Sequence, residues 1–275
     1  MQTKEALELI VNTAISNTNG LNDQLSEVTE GLMIAPSDFR LIDLEKQMLS
    51  RRRFRGRYKT TDIENFTEYA NTHTADAIFI STDSMPMDAL AIFDLGGALQ
   101  PGHAEHTAVL ALTNSPAYKA ARNINGERLK QGELADFIED WLPQLEILCD
   151  GEVQNPLQAI QAIRNITITA SMSAQHGENH FSASRSAIEE IEARSVAHKL
   201  PTHISFTLIP HTGFDPLTIS FRVAVITDKE APRLTLRWMQ QDIQEQEIGE
   251  NFKNLIANGI TDDNTDIHIG TFNAN

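Results

Sequence analysis

Beyond residue 165, apolar residues alternate with polar ones at every second position. The pattern appears in four segments, residues 166–172, 204–208, 219–225 and 234–238. A period of two places the apolar side chains on one face of a strand, so these segments predict an antiparallel sheet with one solvated face. Helical spacing then returns and predicts a helix that covers the apolar face, with apolar residues at Ile248, Phe252, Leu255 and Ile256.

The first half of the chain mixes both kinds of spacing. Strands are predicted at residues 76–82, 88–95 and 106–112. Helices are predicted to begin at Ser115-Pro116 and Asn155-Pro156, because the first side chain of each pair can cap a helix and proline suits its first turn. Thr61-Asp-Ile-Glu64 matches a capping box, which predicts another helix start.

Pro143 interrupts a further amphipathic helix that includes Trp141. The segment Leu145-Glu-Ile-Leu148, directly before Cys149, is interpreted as an apolar helix end.

These patterns predict an α+β fold with mostly antiparallel sheets covered by helices. Three segments are distinguished: an N-terminal helical segment at residues 1–50, an α+β subdomain at residues 51–150, and an antiparallel sheet with a C-terminal helix at residues 151–275. The turn-forming residues 151–155 are the best candidate boundary between the last two. One continuous domain remains the alternative.

Composition excludes several classes of partner. The 275 residues include 38 acids against 22 Lys and Arg, a formal net charge of −16, which repels phosphate backbones and anionic lipid. A general nucleic-acid coat and a membrane-bound protein are therefore not expected. A single cysteine, Cys149, precludes an intramolecular disulfide, and no stretch has the apolar length of a membrane span. We expect a cytoplasmic protein.

Several segments, taken in order, carry a resemblance to a known family. They are Asp43-Leu-Glu-Lys46, Arg53-Phe-Arg-Gly56, Thr82-Asp-Ser-Met85, Pro101-Gly-His-Ala-Glu-His106, Trp141, Phe181-Ser-Ala-Ser-Arg-Ser186 and Pro232-Arg-Leu-Thr-Leu-Arg237. Over about residues 40–255 the set resembles the YfdQ-like family of phage and prophage proteins, a family of unknown function. The resemblance implies a phage gene product in a bacterial host cytoplasm. It implies no established activity and no catalytic residues.

A basic run is the strongest local signal. Residues 51–59 contain five arginines and one lysine, interleaved with Phe54 and Tyr58. Guanidinium groups bind phosphate through two parallel hydrogen bonds and aromatic rings stack on bases, so the run suits a phosphate, nucleotide or single-strand contact. Alternatively, the arginines pair with acids of this chain or of a neighbouring subunit. We predict a ligand or subunit interface formed by Arg51, Arg53, Phe54, Arg55 and Arg57.

His103 and His106 are the only metal-ligand candidates retained. With Asp83 or Asp94 they could supply ligands for zinc or manganese, but the spacing places no third ligand. We therefore predict no metal site. No catalytic residue and no cofactor are assigned.

We predict a non-enzymatic protein that acts by homo-oligomeric assembly and by binding a host factor or an anionic ligand during infection. Two alternatives remain open. A nucleic-acid accessory protein of phage replication or recombination would lose affinity steeply with salt. A metal-dependent hydrolase centred on His103 and His106 would carry stoichiometric metal.

Overall fold

The computed structural model describes residues 11–16, 49–51, 53–82, 86–166, 199–227 and 232–273. The chain forms two compact units, residues 1–54 and residues 55–275. In the first unit residues 11–16 are helical, and the helical segment predicted for residues 1–50 otherwise lies almost entirely outside the described residues. The strand predicted at residues 166–172 also lies outside them beyond residue 166.

The second unit contains all the strands that the structure describes. Its strands are β1 (Gly56–Thr60), β2 (Ala77–Ser81), β3 (Asp88–Ile92), β4 (Gly96–Gly97), β5 (Gln100–Pro101), β6 (His106–Ala111), β7 (Leu145–Cys149), β8 (Glu152–Val153), β9 (His203–Leu208), β10 (Leu217–Thr227), β11 (Pro232–Trp238) and β12 (Asp266–Ile269). Its helices are α1 (Ile63–Thr72), α2 (Pro116–Ile124), α3 (Gln131–Trp141), α4 (Pro156–Arg164) and α5 (Gln241–Gly259).

The first sheet has the strand order β1-β6-β3-β2-β12. Its central strand β3 is antiparallel to β2 and β6, whereas the edge strands β1 and β12 are parallel to β6 and β2. Both edge strands therefore run in the same direction. One row of neighbouring residues crosses the whole sheet from Arg57 through Thr107, Ile92 and Ala77 to Asp266.

The second sheet has the order β11-β10-β9-β7-β8 and is antiparallel throughout. Strands β9, β10 and β11 coincide with three of the alternating segments, and their inner residues, such as Phe206, Phe221 and Leu236, are fully buried. The predicted α+β class with mostly antiparallel pairing is confirmed. Strand β7 pairs with β9, so this sheet joins residues on both sides of the boundary considered at residues 151–155.

A hydrophobic core includes residues from both sheets and from all five helices. Phe66 on α1 and Phe252 on α5 are completely buried in it. The C-terminal helix predicted from Ile248, Phe252, Leu255 and Ile256 is confirmed as α5. Ile248, Phe252 and Ile256 are buried together with Gly249, whereas Leu255 is half-buried. Within the part of the chain that the structure describes, every helix falls short of the length and hydropathy needed to cross a membrane.

Local signals predicted some helix ends correctly and others incorrectly. Ser115 and Asn155 cap α2 and α4 as predicted, accepting hydrogen bonds from the backbone N–H groups of Tyr118 (3.1 Å) and Leu157 (2.9 Å). The capping box at Thr61 is wrong. Asp62 caps α1 instead, because its carboxylate accepts the Asn65 N–H at 2.8 Å while the backbone at Asp62 is still extended.

The interpretation of residues 145–148 as a helix end is also wrong. Helix α3 ends at Trp141, Pro143 lies in a 3-10 turn, and the chain continues as β7. Pro143 lacks the N–H group that would continue the helix. The alternation that buries Ile147 and exposes Glu146 has the period of a strand rather than of a helix.

Candidate functional site

The last part of the basic run forms the edge strand β1. The Gly56 N–H donates a hydrogen bond to the Glu105 carbonyl at 3.0 Å, which begins the parallel pairing with β6. Successive side chains of a strand point to opposite faces of the sheet. Arg57 and Lys59 therefore share one face and are exposed, whereas Tyr58 and Thr60 share the other and are half-buried.

The five predicted interface residues are divided between the two units. Arg51, Arg53 and Phe54 end the first unit, and the Phe54 side chain is 60% exposed. Arg55 and Arg57 begin the second. Arg55 has an ion pair within its own subunit, with 3.7 Å between its Nε and an Oε of Glu105. Both side chains of this pair are more than a third exposed, so its contribution to stability is small.

Five rings form an aromatic–imidazole cluster behind β1, made of Tyr58, Tyr69, His73, Phe93 and His106. Tyr58 stacks on Tyr69 of α1 with ring centroids 4.5 Å apart, and Phe93 stacks on His106 at 4.3 Å. The His73 ring meets the His106 ring edge-on at 5.3 Å. The rings of this cluster come from β1, from α1 and its C-terminal end, and from the ends of β3 and β6. Their contacts therefore pack the basic edge strand against α1.

His106 is held at the buried end of this cluster, with 6% of its surface exposed. Its Nε2 lies 3.1 Å from the Tyr69 hydroxyl, and its backbone N–H donates to the Asp94 carboxylate at 3.0 Å. Burial lowers the pKa of His106, and the neighbouring His73 lowers it further, while Asp94 partly opposes both. The environment of His106 therefore favours the neutral imidazole.

His103 lies on the exposed side of the loop that enters β6. The loop is tied by its backbone, since the Gly102 N–H donates to the Leu95 carbonyl at 2.8 Å and the Ala104 N–H donates to the Asp94 carbonyl at 3.1 Å. A Cβ atom at Gly102 would collide with the Asp94 carbonyl oxygen, so glycine is needed for this close approach.

The two retained metal candidates, His103 and His106, are thus exposed and buried respectively. Among the described residues no group of three or more His, Cys, Asp or Glu side chains is arranged to hold a metal ion. Asp83, considered as a third ligand, lies outside the described residues. The two oxygens of the Asp94 carboxylate accept hydrogen bonds from the backbone N–H groups of Glu105 and His106.

The opposite edge of the first sheet is acidic. Strand β12 begins at Asp266, and Asp262 and Asp263 precede it. All four residues of β12 are exposed, including Ile267 (37%) and Ile269 (59%). Because Arg57 and Asp266 belong to the same row across the sheet, their side chains point to the same face. The sheet therefore has cations at one edge and carboxylates at the other.

Reasoning from the sequence missed the acidic edge. Nothing in the sequence places residues 266–269 in the same sheet as the basic run. The acidic run Asp262-Asp-Asn-Thr-Asp266, which ends at the first residue of β12, was the available signal, since charged residues commonly protect sheet edges.

Comparisons with known proteins establish the family but not a function. The family model described as "Uncharacterized conserved protein (DUF2303)" matches residues 4–272. No curated protein and no solved structure matches the chain. Since the family model extends over nearly the whole sequence, the chain belongs to DUF2303, a family of uncharacterised conserved proteins.

Proposed function

We propose that this is a non-enzymatic protein that works by homo-oligomeric assembly and by binding a host factor or an anionic ligand. The YfdQ-like resemblance supports a phage or prophage origin and action in the cytoplasm of the bacterial host. One observation carries the assembly: the two edge strands of the first sheet have opposite charge, with Arg57 and Lys59 exposed on β1 and Asp266 exposed on β12.

At the joint between two copies, β1 of one copy lies beside β12 of the next, so that the first sheet continues from copy to copy. An edge strand presents N–H and C=O groups on its outer side that another strand can pair with. Because β1 and β12 run in the same direction, β1 of one copy pairs in parallel with β12 of its neighbour. If the rows continue across the joint, Arg57 lies beside Asp266 of the neighbouring copy and Tyr58 beside its Ile267. The contact thus combines opposite charges with burial of exposed apolar surface.

The alternative in which β1 pairs with β1 of a second copy is electrostatically unfavourable. It would place the cationic residues of two identical strands opposite each other, and like charges in directly opposed positions destabilise a pair of strands. The joint is therefore head-to-tail. Head-to-tail contacts between identical subunits close into rings when the rotation allows, and closed symmetry is usual for soluble oligomers. We propose a ring.

The remaining interface residues support the second half of the proposal. Arg51, Arg53 and Phe54 directly precede β1 in the sequence, and Phe54 is a large exposed aromatic residue. Arginine and aromatic side chains are enriched at the centres of protein interfaces, and arginine is well suited to carboxylate and phosphate groups. These three residues are the contact for a host factor or an anionic ligand.

A charge exchange between the two edges tests the assembly. Native mass spectrometry of the parent is expected to give a multiple of the 30.6 kDa subunit. Arg57→Glu and Asp266→Arg should each give monomers, because each variant places like charges across the joint. The double variant should restore assembly.

Arg128→Glu is the matched control, since Arg128 is an exposed arginine outside both edges. It should assemble like the parent. A monomeric parent, or a double variant that assembles no better than the single ones, would contradict the proposal.

A further inference from the structure

Two arginines lie directly opposite each other on the outer face of the second sheet. The register of β10 and β11 pairs Arg222 with Arg237. Their neighbours Phe221 and Trp238 point to the other face and are buried, so both arginines point away from the core. Like charges in directly opposed positions of a strand pair repel each other.

The arginine pair borders a cleft of a size that holds a small molecule. One cavity of about 540 Å³ lies between the end of β11 and the start of α5, and it is lined by Arg237, Trp238, Thr235, Asn125, Gly126 and the first residues of α5. An adjoining cavity of about 320 Å³ reaches Arg222 and shares Arg237, Trp238 and Gln240. Ligand-binding clefts commonly have volumes of about 300–1,000 Å³.

The walls of the cleft are held in place by hydrogen bonds. The Asn125 side chain accepts the Trp238 backbone N–H at 2.8 Å and donates to the Gln241 side chain at 2.7 Å. The Trp238 indole N–H donates to Gln244 at 2.6 Å. Rigid walls reduce the entropy lost when a ligand binds, so the cleft is preorganised.

Charge in the cleft favours an anion. Arg237 has neither a hydrogen bond nor an ion pair with any residue in the described ranges. The nearby carboxylate of Glu245 is engaged by Arg122, at 3.7 Å, and by the Gln241 side chain, at 2.9 Å. Among the described residues that line the two cavities, Asp242 is the one acid, and it opposes an anion.

We propose that this cleft binds a small ligand through a doubly charged phosphate or pyrophosphate group held between Arg222 and Arg237. Two guanidinium groups in opposed positions present two planar sets of donors, which suits an oxyanion with several acceptor oxygens better than a single carboxylate. Exposed Met239 and Ile243 provide an apolar surface beside the charged pair for the rest of the ligand. This site is separate from the proposed assembly joint.

Calorimetric titration with inorganic pyrophosphate tests the proposal. We expect saturable binding by the parent protein, at least tenfold weaker binding by Arg237→Gln, and tighter binding by Asp242→Asn, which removes the opposing charge. Arg233→Gln is the control, because Arg233 is on the same strand and face as Arg237 but does not line the cleft. It should bind pyrophosphate like the parent, and so should the assembly variant Arg57→Glu.

Thermal unfolding provides a second readout that separates binding from folding. Without ligand, Arg237→Gln should melt no lower than the parent, because Arg237 is exposed and makes no ion pair with a described residue. With pyrophosphate, the parent melting temperature should rise and that of Arg237→Gln should not.

Several results would overturn the proposal. They are equal loss of binding in Arg233→Gln, no heat of binding with pyrophosphate, and equal binding of acetate. Binding of a single-stranded oligonucleotide that pyrophosphate does not displace would also overturn it, in favour of a nucleic-acid surface.

Discussion

The two sheets of the second unit differ in whether their edge strands are covered by other residues. The long edge strand β11 of the second sheet is covered by residues 125–129. The Gly126 and Leu129 N–H groups donate to the carbonyls of Leu236 and Leu234, each at 2.8 Å, and Leu234 donates back to Leu129 at 2.9 Å. In the first sheet, the edge strands β1 and β12 have no further strand beside them in the described residues, and they carry exposed charges.

This difference shows two physical solutions to the same hazard. An uncovered edge can pair with any other strand, so proteins cover their edges or place charges on them. Strand β11 is covered by residues 125–129, and its inward residues Leu234 and Leu236 are fully buried. Charges of opposite sign suit β1 and β12 because they oppose pairing of like edges and permit pairing of unlike ones. The first sheet is therefore the place where assembly is expected.

The largest expected effect separates the covered edge from an open one. Leu236→Ala should lower the free energy of unfolding by about 2–5 kcal/mol, because it leaves a cavity in the core. Ile269→Ala on β12 removes a side chain that is 59% exposed, and it should cost less than about 1 kcal/mol. Urea denaturation of both variants measures the difference. Similar losses would mean that β12 is buried in the protein in solution.

Removing the cover should have the next largest effect. Asn125→Ala deprives the Trp238 N–H of its acceptor and the Gln241 side chain of its donor, so we expect a loss of about 1–3 kcal/mol. Asn123→Ala is the control, since Asn123 is exposed on the neighbouring helix turn. Amide hydrogen exchange should accelerate in β11 for Asn125→Ala and stay unchanged in β1. Unchanged exchange in β11 would show that the cover does not protect this edge.

Acidification should destabilise both regions. Burial lowers the pKa of His106 in the first sheet, with a further contribution from His73, and burial also lowers the pKa of His211, which lies next to Tyr118. Each imidazole takes up its proton at a lower pH in the folded protein than in the unfolded chain, where histidine titrates near about pH 6.5. The stability is therefore complete above that pH and is lost as the pH falls below it.

Urea midpoints between pH 7.5 and 5 measure this loss. His106→Gln and His211→Gln should each show a weaker dependence on pH than the parent, whereas exposed His103→Gln should follow the parent. A parent whose midpoint is constant over this range would contradict the prediction.

The smallest effect on stability is expected at the open basic edge. Arg57→Ala should change the free energy of unfolding of the subunit by no more than about 0.5 kcal/mol, as is usual for an exposed side chain. Its oligomers should nevertheless dissociate at a higher protein concentration than those of the parent, as light scattering over a dilution series would show. A large loss of subunit stability would place Arg57 in the fold rather than at the joint.

The sequence predicted those features that depend on neighbouring residues. Alternation over residues 204–208, 219–225 and 234–238 correctly predicted β9, β10 and β11, because burial on one face of a strand imposes a period of two. Ser115 and Asn155 were correctly identified as helix caps, since capping is settled within three residues.

Other features depend on residues that are distant in the chain, and only the tertiary structure decided them. The basic run contains a strand because β6 supplies its hydrogen bonds, and its own residues lack a clear apolar alternation. His103 and His106 are close in sequence but differ in burial, because a backbone-bonded loop turns one outward and the cluster around Tyr69 encloses the other. Arg57 and Asp266 share a row because β1 pairs in parallel with β6 and β12 pairs in parallel with β2, the two strands that flank β3. Parallel strands are joined by long connections, and no local sequence pattern predicts which strands such a connection brings together. The charge difference between the two edges therefore appears only in the folded protein.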